Sequence, residues 1–338
     1  MNEYSKPSAD IGFRTDNYLK TNHDQNVGRQ KINEIYMKQP LRIYCKVCKK
    51  NIFESPWFKT SGIRYFQCSS CGHLNGEYQD TDQFSKEIYQ SEESSYDSNY
   101  GSDFDLRVQN IYVPKIEFML KYLTLDLQVI RLVDFGSGGG HFVRAAQQCG
   151  IEVIGLEVNP KLVKSSRQNV GDKAILQISS IENFKKILSE FQPNVVSFIG
   201  VLEHMTDMDE ILNICKTNSI RYIYSSVPVF SLTSILQTLN ESVFARQLSG
   251  GHTHLFSKNS LALLLNRHSY YINSNWWFGT DFSDLRRILS VSMANHSYKL
   301  DEIIDSVLSS FTDKLQSVID EGEVTSEVHT VSELSPKK

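Results

Sequence analysis

The 338-residue chain is most informative at first in what it lacks. It has no apolar run of eighteen residues, so no membrane-spanning helix is expected. Its opening stretch, Met1 to Phe13, has no basic segment leading into an apolar core, and no secretory leader is expected. Without export, the six cysteines do not suggest a disulfide framework; they are expected as thiols, metal ligands or catalytic groups. There is no internal repeat. There is also no excess of positive charge: 35 basic against 39 acidic residues give a net charge of −4. That balance argues against whole-chain binding to nucleic acid, though not against a local basic patch. With 40% hydrophobic residues the chain is too apolar to be disordered. A soluble, cytoplasmic protein is expected.

The chain divides by composition. Residues 1–40 are polar and without a sustained period, and predict a loose arm. Residues 41–76 carry four of the six cysteines. Residues 77–105 form a connector with nine acids against Lys86 alone, and with Tyr78, Tyr89, Tyr96 and Tyr100. From about 106 to 280, β-type runs at 129–135, 152–157, 174–178, 194–199 and 220–227 alternate with helical segments, including 111–123, 142–149, 181–191 and 207–216. Asn159-Pro160 opens another helix, with proline at a favoured first position. This alternation predicts an α/β fold, a mostly parallel Rossmann-like sheet with helices on both faces. A lid-like insertion is expected near 228–256, followed by a helix over 257–268 and a strand over 270–278. A helical segment over 281–322 has an apolar face (Ile303, Ile304, Val307, Leu308, Phe311, Leu315, Val318, Ile319), expected either to dock on its own domain or to form a homodimer seam. Residues 323–338 are expected as a disordered tail.

The sharpest signal is the run from Val133 to Phe142, in which a strand enters Gly136-Ser137-Gly138-Gly139-Gly140 and then a helix. Glycine permits positive φ and lets a ligand approach bare backbone, while the helix N-terminus offers free N–H groups. The dinucleotide pattern G-x-G-x-x-G would need glycine at 141, where His141 stands. The next strand ends in Glu157, whose carboxylate could accept both hydroxyls of a ribose.

Asp134-x-Gly136-x-Gly138-x-Gly140, Glu157, and Val201-Leu202-Glu203-His204 after the fourth strand together resemble a class I S-adenosylmethionine-dependent methyltransferase, with a seven-stranded sheet, over roughly 106–280. The resemblance implies a cofactor site built from Asp134, Gly136, Ser137, Gly138, Gly140, Glu157, Val158, Ile181, Gly200 and Val201. The 136–140 loop would wrap the methionine moiety, Glu157 hold the ribose, and the 180–182 region flank the adenine. It implies methyl transfer by in-line displacement, and a base where the acceptor is a hydroxyl or carbon acid. His204, His252 and His254 are the candidate bases, or else structural histidines. The stretch Gly251-His252-Thr253-His254-Leu255-Phe256-Ser257 is similar to a segment of small-molecule methyltransferases.

Cys45-x2-Cys48 and Cys68-x2-Cys71 have zinc-ribbon spacing, a closed structural Zn(II) site of four thiolates. The ribbon has a local charge of +5. This could dock RNA or a phosphate-bearing substrate, or could pair with the acidic connector beside it. The layout of ribbon, aromatic connector and methyltransferase core resembles bacterial enzymes of surface-polysaccharide and natural-product synthesis. It implies a small-molecule acceptor such as a sugar nucleotide, methylated at O or C, with tyrosines of the 89–100 stretch near it. Two other readings stay open, an RNA methyltransferase and a non-catalytic scaffold. Against the first of them, the core has no Asn/Asp-Pro-Pro-Tyr segment.

Overall fold

A computed structural model describes residues 1–7, 18–90, 103–248, 251–293 and 306–336. Twelve strands are seen among the described residues: β1 Asn2–Tyr4, β2 Trp57–Thr60, β3 Ile63–Gln67, β4 Leu74–Gly76, β5 Arg131–Phe135, β6 Glu152–Glu157, β7 Ile175–Gln177, β8 Val195–Ile199, β9 Tyr222–Pro228, β10 His254–Leu255, β11 Tyr270–Trp277 and β12 Glu327–Leu334.

Eight of them form one sheet in the order β1-β11-β12-β9-β8-β5-β6-β7. β5 to β9 run parallel, and β12 lies antiparallel between β9 and β11. The reason is in the residues. Leu132, Val133, Val195, Val196 and Phe198 are wholly buried, as strands covered by helices on both faces must be. Between these strands lie helices His141–Gln148, Pro160–Val170, Ile181–Phe191 and Met208–Thr217. Several start on side-chain caps: Asn159 accepts from Lys161 and Leu162, Ser180 from Asn183, and Asp207 from Glu210. The strand order reverses beside β5, so a crevice opens at the carboxyl ends of β5 and β8.

The expected seven strands become eight because the arm is not loose. β1 pairs in parallel with β11, Asn2 opposite Asn275. Residues Tyr18–Tyr36 form a helix. Its hold on the domain is largely polar: Asn22 and Asn26 donate to the Ser242 carbonyl (2.8 and 2.6 Å), and Arg29 to that of Glu241 (3.0 Å). Such bonds leave no apolar period in the sequence. Tyr36, at the helix end, is fully buried.

The tail expectation also fails. β12 enters the sheet interior because both its neighbours are otherwise unpaired there. Val328 and Val331 are buried, and the polar residues between them find partners. His329 Nδ1 meets the Tyr224 hydroxyl at 2.8 Å, and Thr330 Oγ1 meets Ser225 Oγ at 2.7 Å. On helix Thr312–Glu321 the predicted faces are reversed. Thr312, Gln316 and Asp320 are buried, while Phe311, Leu315 and Val318 are 50%, 42% and 67% exposed. The polar side is drawn inward by Gln316, whose amide donates to Asp320 (2.8 Å) and Asp281 (3.5 Å) and accepts the Phe282 N–H (2.9 Å). Ile303 and Ile304 lie outside the described residues.

A second, antiparallel sheet runs β10-β4-β3-β2. Three of its strands come from the cysteine-bearing segment and β10 from the expected insertion, so the two are one layer. The insertion does not stand alone as a lid. Leu248, Leu255, Tyr36, Tyr65 and Phe84 share its core.

Deleting residues 327–338 should split the sheet between β9 and β11, and cost more than about 5 kcal/mol, the scale of a whole domain's stability. Thermal unfolding checks this: a soluble truncated chain with an unchanged cooperative transition would contradict the interior role of β12.

Candidate functional site

The glycine-rich turn follows β5 directly. Gly136, Gly138 and Gly140 have φ of +73°, +53° and +81°, conformations open to glycine. At Gly136 space is also limiting: a Cβ there would lie 2.6 Å from Val201 Cγ2, so the turn and the loop after β8 close on each other. The Glu157 carboxylate braces the turn. Its Oε2 accepts the Gly138 N–H at 2.8 Å, and its Oε1 accepts those of Val158 and Asn159, also at 2.8 Å. Burial pushes the Glu157 pKa up, against the pull of these three donors.

A cleft of about 620 Å³ opens over this turn. That volume suits a small-molecule cofactor with part of a second ligand. Of the residues expected at the cofactor, Gly136, Gly138, Glu157, Val158, Ile181, Gly200 and Val201 line the cleft. Asp134, Ser137 and Gly140 are not among its lining residues. Asp134 is 2% exposed and accepts from Ser197 Oγ at 2.7 Å, so it ties β5 to β8 beneath the turn. Burial raises its carboxyl to about 7. Gly140 caps the following helix, where a Cβ would sit 3.2 Å from Ser166 Cβ. Sequence reasoning missed Phe135 and Phe184 on the wall, and Asp82, Ser85 and Lys86 at the mouth. These three belong to the connector, and no local pattern brings them to the cleft.

The histidines separate. His204 lines the cleft. Its Nδ1 stands 3.0 Å from the Gly251 carbonyl oxygen and 2.8 Å from the Tyr89 hydroxyl, which itself donates to Gly251 at 3.1 Å. His252 stacks on His204 with ring centroids 5.0 Å apart, and its Nδ1 donates to the Gln247 carbonyl at 3.1 Å. Burial lowers both imidazoles, His252 to about 4. Beside them Glu203 is 2% exposed, and burial raises its carboxyl to about 8. His254 goes elsewhere. It pairs with Asn75 of β4, is fully buried, and packs on His73 and Phe256 at 4.9 and 5.5 Å between centroids. Strand pairing with the second sheet turns it away from the cleft. Of the tyrosines expected near an acceptor, Tyr89 reaches the site, whereas Tyr96 and Tyr100 lie outside the described residues.

The four cysteines converge at the edge of the same body. Cys45 and Cys71 sulfurs are 3.6 Å apart, those of Cys48 and Cys68 3.5 Å, and all four lie within 4.8 Å of one another. Four thiolates about 2.3 Å from a tetrahedral zinc would be separated by about 3.8 Å, so the set fits the ion. Each knuckle turns on a residue of positive φ just after its second cysteine, Lys49 (+60°) and Gly72 (+72°). Lys46, inside the first knuckle and buried, pairs with Asp80 and donates to the Met205 carbonyl, just after the Leu202–His204 turn.

The family model described as a methyltransferase domain matches residues 104–274, just over half of the chain. The chain belongs to this family. It is an S-adenosylmethionine-dependent methyltransferase. Among solved structures, it is similar to a SAM-dependent methyltransferase from Archaeoglobus fulgidus, at 16% identity over 70% of this chain and 97% of that one, with a TM-score of 0.45. It is also similar to magnesium protoporphyrin IX methyltransferase from Synechocystis PCC 6803, at 11% identity over 70% and 89% of the two chains, with a TM-score of 0.42. These likenesses add nothing about the acceptor. No curated protein matches the sequence. Among the described residues, no helix of this methyltransferase is long and apolar enough to cross a membrane.

Gly138→Asp should weaken S-adenosylhomocysteine binding by about 100-fold, roughly 2.7 kcal/mol. The added carboxylate would face Glu157 across the cleft floor, while Asp tolerates the positive φ. Calorimetry reads the affinity, and far-UV circular dichroism shows that the variant is folded; an unchanged affinity would move the cofactor elsewhere.

Proposed function

We propose that this methyltransferase acts on oxygen or carbon of a small molecule, a sugar nucleotide or a related glycan or natural-product precursor. The carrying observation is the division of the cleft into two chemically distinct halves. One half is turn backbone, Glu157 and apolar wall. The other is the polar pair Tyr89 and His204, held together on the Gly251 carbonyl.

In this reading Gly136 and Gly138 present backbone to the methionine moiety. Both Glu157 oxygens, now engaged with main-chain N–H groups, take the ribose hydroxyls. Val158 and Ile181 flank the adenine, and Gly200 and Val201 cover the other side. The acceptor enters beside Tyr89, and His204 is the group placed to deal with its proton. The nucleophile forms the new bond to the methyl carbon as the S–CH3 pair returns to sulfur, leaving neutral S-adenosylhomocysteine. The protein supplies alignment and exclusion of water.

Two observations favour a small acceptor over RNA. Four of the six basic groups of the ribbon are engaged internally, Arg42 and Lys46 with Asp80, Arg64 with Glu77, and Lys49 with Asp209. Asp82, Asp207 and Glu210 line the cleft beside Lys86, which leaves room for the uncharged sugar or glycan part of an acceptor but not for the repeated phosphates of an RNA strand. In the same reading Cys45, Cys48, Cys68 and Cys71 hold a structural zinc, which closes the ribbon and takes no part in the transfer. Through Lys46 the ribbon then steadies the loop that carries His204.

Calorimetric titration should show S-adenosylhomocysteine binding and none of NAD. His204→Ala should leave that affinity within about twofold while lowering turnover about 100-fold or more, the scale of a lost proton-handling group. Turnover is read as the mass gain of candidate acceptors, and an undiminished rate would return His204 to a structural role. Cys68→Ser should lose zinc by elemental analysis and release the ribbon, read as faster proteolysis in 41–76. A wild-type chain without zinc would refute the thiolate site.

A further inference from the structure

Behind the His204 wall of the cleft, and not among its lining residues, stands a buried carboxylate that the methyl-transfer scheme does not use. Glu203 follows the loop after β8 and is 2% exposed, yet its Oε2 has no hydrogen-bond partner among the described residues. Such a group costs several kcal/mol unless something compensates it. It is not isolated from potential partners. A carboxylate oxygen of Glu203 and one ring nitrogen each of His204 and His252 lie within 4.8 Å of one another.

The two imidazoles are set in one tautomer by their outer bonds. A carbonyl oxygen can only accept, so His252 Nδ1 carries a proton toward Gln247 O (3.1 Å), and His204 Nδ1 carries one toward Gly251 O (3.0 Å). The Tyr89 hydroxyl donates to the same Gly251 oxygen at 3.1 Å. Each ring therefore keeps its basic lone pair on Nε2. A histidine that gives Nδ1–H to a backbone carbonyl and offers Nε2 is oriented as metal-ligating histidines are. The rings are stacked at 30° with centroids 5.0 Å apart, side by side rather than across the cleft.

We propose that Glu203, His204 and His252 form a second metal site, distinct from the thiolate cluster, which binds a divalent first-row cation at the acceptor side of the cleft. Two imidazoles and one carboxylate leave coordination positions open. This rests on the methyltransferase reading of the cleft and deepens it. The open positions take an acceptor bearing a hydroxyl beside a second oxygen, as in a vicinal diol or hydroxy acid. On coordination the hydroxyl releases its proton to solvent. The resulting oxygen forms the O–CH3 bond while the S–CH3 electron pair stays on sulfur, so charge and atoms balance without a protein base. His204 then deals with the acceptor's proton through the cation it holds, and the open positions select oxygen over carbon as the methylated atom.

The test uses the full-length, zinc-replete protein saturated with S-adenosylhomocysteine and titrated with Co(II). Nitrogen and oxygen ligands give weak visible bands, whereas exchange into the cysteine site adds strong thiolate-to-cobalt absorption in the near ultraviolet. The expected result is one equivalent of cobalt bound with the weak bands alone. Glu203→Gln, which keeps the shape, and half-buried His252→Ala should each weaken it at least tenfold. Both variants should keep S-adenosylhomocysteine affinity, which also reports that they are folded. No cobalt binding outside the thiolates, or binding unchanged in both variants, overturns the second site while leaving the methyltransferase reading intact. Loss of S-adenosylhomocysteine binding by the wild type would instead strike that reading itself.

Discussion

The close approach of two strand ends governs this molecule. The turn after β5 and the loop after β8 meet where Gly136 faces Val201 with no room for a Cβ, at 2.6 Å from Val201 Cγ2. That contact sets the width of the cleft. It also fixes the direction in which the chain leaves β8, and so where Glu203 and His204 stand. Asp134 beneath it, bonded to Ser197, holds the two strands in register from below. The carboxylate there ties the two strands together.

The cysteine segment is a brace for this arrangement. It docks through specific polar links: Lys46 to Asp80 and the Met205 carbonyl, Arg267 to the Val47 carbonyl, and Ser257 to the Cys71 carbonyl. Buried ion pairs of this kind add little net stability, since desolvation offsets attraction. Their effect is positional. They bind the ribbon to the loop carrying His204, and β10 carries the insertion with His252 into the same layer. The wall with Tyr89 and His204 is thus assembled from the connector and the loop after β8, with the cysteine segment and the insertion packed behind them.

Sequence patterns read some parts of the chain well and others poorly, for identifiable reasons. The strand at 152–157 and the helix at 181–191 are found where periodicity and capping place them, because both are buried in regular α/β surroundings. The 18–36 helix and β12 were illegible for a shared reason. Their polar residues are satisfied by partners 220 and 105 positions away, Asn22 by Ser242 and Thr330 by Ser225. A polar residue with a distant partner looks the same in sequence as one facing solvent. The reversed faces of helix 312–321 follow from the same cause, since Gln316 is buried to bond Phe282 and Asp281, which lie some thirty-five positions earlier.

The sequence by itself determined the glycine turn and the acid that braces it, because their chemistry is local. A strand, a glycine turn, a helix and an acid one strand later are all written within Val133 to Glu157. The four cysteines are likewise set by knuckle spacing. Only the tertiary structure decided the histidine side of the cleft, by pairing β10 with β4, burying His254, holding Tyr89 and His204 on the Gly251 carbonyl and stacking His252 on His204. Three histidines equal in sequence became different in space because strand pairing and side-chain burial act between segments, and spacing along the chain records neither.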